Sequence, residues 1–94
     1  MLDPLHNKTH YHVEIIRTEN RETVLLGEVF DGERFEFKVP NYFVKPDTNN
    51  PKMGWVLVDT LGRNNDRISI VLPAPTLKFG DHISVAAGKI QRAV

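Results

Sequence analysis

The chain has 94 residues, with 12 Lys+Arg against 12 Asp+Glu and no cysteine. That length allows one domain with one modest core, and the missing cysteine excludes disulfides, thiolate metal sites and a thiol nucleophile. No apolar run approaches the roughly 18 residues of a membrane-spanning helix, and Met1–His6 has neither a basic n-region nor an apolar h-region, so a cytoplasmic location is expected.

Charge is unevenly distributed. Residues 1–47 carry six basic and nine acidic groups, and residues 48–94 carry six basic and three acidic ones. Two halves interleaved in one sheet would pair these charges across neighbouring strands. A nucleic-acid binder usually shows a basic surplus, which this chain lacks.

Apolar residues recur with a period of two, the signature of strands. Residues 1–9 are expected to be a loosely ordered lead-in to a single β domain spanning 1–94. Tyr11, Val13 and Ile15 then alternate with His10, His12 and Glu14 in a first strand over 10–18, and Glu19-Asn20-Arg21 suits a turn. A second strand over 23–30 is apolar on both faces. Asp31-Gly32 reads as a tight type I′ hairpin. Phe35, Phe37 and Val39 alternate with Arg34, Glu36 and Lys38 in a third strand with one clear apolar face.

Residues 40–53 hold three prolines and three asparagines, so the longest irregular connection is expected there, more mobile in its second half. Tyr42, Phe43 and Val44 could pin its first half through a short helical turn. Alternation resumes at Trp55–Val58, apolar on both faces, followed by a polar turn over 62–66 and a fifth strand over 68–72. Pro73-Ala74-Pro75 should end that strand. Gly80-Asp81 turns the chain into a sixth strand over 82–86, and 89–92 adds a short strand or one helical turn. The spacing Leu77-x-x-Gly80-Asp81-x-Ile83-x-Val85 is similar to hairpins of small translation-factor and SH3-like barrels, with Leu77 as an apolar anchor. The fold expected is therefore all-β: a small antiparallel barrel, OB-like or SH3-like, or a compact sandwich of six to seven short strands. Its expected core is Val13, Ile15, Val24, Leu26, Phe35, Phe37, Val39, Leu57, Ile68, Ile70, Ile83 and Val85.

Chemistry-bearing signals are sparse. His10 and His12 share one strand face and could reach one metal ion, but a catalytic zinc needs a third ligand, from His6 or His82; a solvated polar face is the simpler expectation. Asp59, in an apolar strand, could act as a base, but a carboxylate there more often caps a strand end or pairs with Arg63 or Arg67. No phosphate loop or nucleophile elbow is present, so neither an enzyme nor a cofactor is expected, and no small-molecule substrate is evident. Tyr11, Phe35, Phe37 and Trp55 could stack bases beside Arg34, Lys38, Arg63 and Arg67, but Phe35 and Phe37 stand on the only apolar face of their strand, so core positions are the expectation for them. The expected function is a non-catalytic interaction module that binds a protein partner or its own copy through the 40–53 loop or a sheet edge. The alternative is a small barrel for single-stranded nucleic acid. The candidate contact residues are Tyr42, Phe43, Lys45, Lys52, Arg63 and Arg67.

Overall fold

The structure is a computed structural model that describes residues 8–92. It contains eight strands: β1 (Lys8–Glu19), β2 (Glu22–Glu28), β3 (Arg34–Pro40), β4 (Val44–Pro46), β5 (Met53–Asn64), β6 (Arg67–Thr76), β7 (Gly80–Ala86) and β8 (Ile90–Arg92). Short 3-10 turns at Asn41–Phe43 and Ala87–Lys89 precede β4 and β8. The all-β expectation is met by one antiparallel sheet in the order β3-β2-β1-β5-β6-β7, strongly curled into a half-barrel, with β4 added to β5 and β8 to β1. Among the described residues no helix is long and apolar enough to cross a membrane. Of the lead-in expected over 1–9, residues 1–7 lie outside the described residues, whereas Lys8 and Thr9 already belong to β1.

The curl comes from the two 12-residue strands, which change partners midway. Residues 9–11 of β1 pair with β8 and residues 14–19 with β2, while β5 pairs with β1 and β4 before its far half pairs with β6. Both strands carry a register shift where they bend, at Ile15/Arg17 and at Thr60/Gly62, as a β-bulge requires. The curl carries the β6–β7 pair round to the β2–β3 hairpin. There Phe30 N–H donates to the Ser84 carbonyl (2.8 Å), Lys78 pairs with Glu33, and Arg67 lies 3.8 Å from Asp31 and 4.4 Å over the Phe30 ring. The two chain halves thus stand side by side rather than interleaved, exchanging only β4 and β8. Their opposite charges meet where the curl closes, in exposed pairs that contribute about 0–1 kcal/mol each.

Val13, Val24, Phe35, Phe37, Val39, Ile68, Ile70, Ile83 and Val85 are buried as expected. Three assignments need correction. Leu26 and Leu57 are only half-buried, because β2 and β5 present Leu25, Val56 and Val58 to the core instead. Both strands are apolar on both faces, so their partners decide: Leu25 stands opposite Phe37, and Val56 opposite Tyr11. Ile15 is half-buried beside the bulge, its Cδ1 against Gly54.

Turn chemistry also departs from expectation. The β2–β3 loop is not type I′. Gly32 N–H donates to the Val29 carbonyl and Val29 N–H to the Glu33 carbonyl (both 2.9 Å), with only Gly32 at positive φ (96°), as in a three-residue loop with a glycine bulge. Two consecutive positive φ values occur instead at Asn20 (47°) and Arg21 (71°), between β1 and β2. Pro73 and Pro75 do not end β6. The strand runs on to Thr76, and the prolines occupy the register shift between the Val71–His82 and Thr76–Gly80 pairs, where no ladder donor is needed. Leu77 anchors nothing, since it stands fully exposed at the hairpin tip.

Residues 40–53 are irregular only in part: the short helical turn expected of the first half forms, and the stretch between β4 and β5 is the longest connection between strands among the described residues. The 3-10 turn is followed by β4 on β5, and then by a closely bonded turn. Asp47 N–H donates to the Met53 carbonyl, Asn50 N–H to the Asp47 carbonyl and Met53 N–H to the Asn50 carbonyl, at 3.0–3.2 Å. The Asp47 and Asn50 side chains accept from the Asn49 and Lys52 amides two residues on, which is how these residue types stabilise turns.

Candidate functional site

The outer face of β8, β1, β5 and β4 gathers the unusual side chains. Register places Gln91, His10 and Leu57 in one cross-strand row, and His12, Trp55 and Lys45 in the next. Directly opposed residues share a face, so all six project away from the core that Tyr11 and Val56 enter.

His12 is not the solvated histidine expected from its strand. Its ring stacks on Trp55 with centroids 4.2 Å apart and 28° between planes, and its Nε2 lies 2.9 Å from Asp47 Oδ2. A carboxylate only accepts, so Nε2 carries the proton. The Asp47 and His12 side chains are 14% and 25% exposed. The Asn49 amide on Oδ1 and the His12 ring on Oδ2 hold the Asp47 carboxyl below the usual carboxylate value of 3.8.

Beside this cluster opens a cleft of about 460 Å³, lined by His10, Lys45, Pro46, Asp47, Thr48, Asn49, Trp55 and Gln91. Trp55, the chain's single tryptophan, is half-buried there. His10 is half-buried too, not exposed as expected. Burial first, and then the Lys45 charge, push its imidazole below 6.5, so it is mainly uncharged at neutral pH. Lys45 is exposed and has no ion-pair partner among the described residues.

Of the six residues singled out in the sequence, only Lys45 lines this cleft. Tyr42 is 83% exposed with its ring tilted against that of Phe43 at 4.9 Å, while Phe43 packs on the core edge. Lys52 is exposed, and its carbonyl accepts from Ile15 N–H at 2.8 Å. Arg63 and Arg67 belong to the β5–β6 hairpin, Arg63 bonding the Asn65 carbonyl and Arg67 covering Phe30. The structure therefore does not gather these cations. His10, His12 and Trp55 each carried a signal in the sequence, a same-face pair and a lone aromatic. Asp47, Thr48 and Asn49 fall in the 40–53 segment that the sequence marked for binding, whereas Gln91 carried no signal, because only the β1–β8 register brings it alongside.

Among the described residues no three His, Cys, Asp or Glu side chains are placed to hold a metal ion. His6 lies outside the described residues, and His82 pairs with Asp81 at 2.7 Å. Asp59 is half-buried where β5 passes from β1 to β6. Comparison with protein-family models, curated proteins and solved structures finds no match to this chain.

Proposed function

We propose that this protein is a non-catalytic binding module that takes an extended stretch of a partner protein across the outer face of β8, β1, β5 and β4. The observation that carries the reading is the cleft itself. A half-exposed tryptophan forms its apolar contact, and the 45–49 segment forms a polar wall of Lys45, Thr48 and Asn49 with the Asp47 carboxylate held by His12. One aromatic contact beside several convergent polar groups can fix the orientation of a peptide-sized ligand. The sheet-edge route has less support: Pro46 removes a donor from β4, and Phe30 N–H already occupies a β7 carbonyl.

Single-stranded nucleic acid fits less well. Tyr11, Phe35 and Phe37 are core residues, and Arg63 and Arg67 stand away from the cleft. Selection of random peptides displayed on phage against the full chain tests the proposal, read by Trp55 fluorescence. Enriched peptides should change that emission and lose affinity in Thr48→Ala and Asn49→Ala proteins that keep the parent melting temperature. Enrichment indifferent to both substitutions, or binding of oligothymidylate alone with a steep salt dependence, would refute it.

A further inference from the structure

Resting on that reading of the cleft, we propose that its occupant is an acidic peptide, with an Asp or Glu carboxylate seated at Lys45 and His10 and a neighbouring apolar side chain laid on Trp55. The argument is one of charge left over. Lys45 is the one described cation lining the cleft and lacks an ion-pair partner among the described residues. The carboxylate nearest in sequence, Asp47, is committed: Oδ1 accepts the Asn49 amide and Oδ2 the His12 ring. Gln91, opposite His10 on β8, adds a neutral amide donor at the same end. An incoming carboxylate would therefore meet one free ammonium, one amide and an imidazole able to take up a proton.

The charges around His10 set a pH dependence. Lys45 faces it from β4 and Asp47 from the loop after β4, and both line the same cleft. On β1 itself His12 and Glu14 share its face; on β5 Asp59 stands beyond Leu57; Gln91 on β8 is uncharged. With the cleft empty, burial and Lys45 disfavour the imidazolium. A carboxylate placed between Lys45 and His10 cancels the Lys45 repulsion, so binding should draw a proton onto His10. Affinity for an acidic peptide should then rise as pH falls, until the peptide's own carboxylates protonate.

Amide NMR titration of the full chain with three hexapeptides tests this: alternating Leu-Glu, Leu-Gln and Leu-Lys, all end-blocked. A thymidylate hexanucleotide is the fourth probe. The Leu-Glu peptide should shift signals from His10, Lys45, Gln91 and the Trp55 indole. It should bind about fivefold tighter than the Leu-Gln peptide, the size expected of a partly exposed charge pair. Lys45→Gln should abolish that preference while keeping Leu-Gln binding. His10→Gln should remove the gain in affinity between about pH 7.5 and about pH 5.5. Equal binding of the three peptides at the cleft would overturn the acidic preference and leave the peptide reading standing. Preference for Leu-Lys would overturn it in favour of Asp47. Tighter binding of the hexanucleotide, shifts confined to another face, or no shift from any probe would overturn both readings.

Discussion

Gly27 on β2 stands opposite Phe35 on β3, and a Cβ added there would lie 2.5 Å from Phe35 Cζ and 3.0 Å from both Cε atoms. The phenyl ring cannot swing aside at little cost. It is 6% exposed and rests against Phe37 (5.4 Å between centroids) and edge-on to Phe79 (5.7 Å). Gly27 is not at positive φ, so alanine meets no backbone penalty. Left to chain entropy alone, Gly27→Ala would stabilise the protein by about 0.4–1 kcal/mol. Overpacking of a closed core costs about 1–3 kcal/mol, which wins. We expect a net loss of about 1–2 kcal/mol, seen as a melting temperature lower by about 4–16 °C for a domain of this size. Thermal unfolding followed by circular dichroism measures it, and a double-mutant cycle identifies the cause. With Phe35→Leu in the background the ring tip is gone, so adding Gly27→Ala should cost less than about 0.5 kcal/mol. A Gly27→Ala protein that melts higher than the parent, or equal losses in both backgrounds, would refute the steric argument.

Two further outcomes are expected. Arg21→Gly should stabilise by about 1 kcal/mol, because an L-residue at φ 71° carries a strain that glycine lacks; urea titration would show a higher midpoint at unchanged slope. The Tyr11 hydroxyl donates to the Glu28 carbonyl (3.1 Å) and accepts from its N–H (2.9 Å), and burial pushes it up to about 12 from 10. A phenol raised on folding stabilises the protein below its unfolded value and loses that contribution as pH climbs to the folded one. Stability on the order of 2–3 kcal/mol should therefore disappear between about pH 10 and pH 12, and this alkaline loss should be absent in Tyr11→Phe, which is itself weaker by about 1–3 kcal/mol at neutral pH.

How far the sequence could be read depends on whether a strand has one apolar face or two. Arg34–Val39 alternates charge with Phe and Val, so only one orientation buries the rings, and the structure adopts it. Thr23–Gly27 and Trp55–Val58 are apolar on both sides, and their inward parity is settled by partners remote in the chain, Phe37 and Tyr11. The prolines and asparagines of 40–53 implied disorder only if read as breakers. Pro46 instead ends the three-residue β4, and Asp47 and Asn50 bond their own turn. The cleft is a consequence of register in the same sense. The β1–β5 pairing that sends Tyr11 and Val56 into the core sets His12 opposite Trp55, and the β4–β5 pairing sets Trp55 opposite Lys45. Slipping β1 by one residue against β5 would turn its inward and outward sets over, bringing His10 and His12 to the core and Tyr11 and Val13 to water. The burial that makes such a slip unaffordable is what holds His10, His12, Trp55 and Lys45 on one surface. The cleft's position is thus written in apolar residues that never touch it.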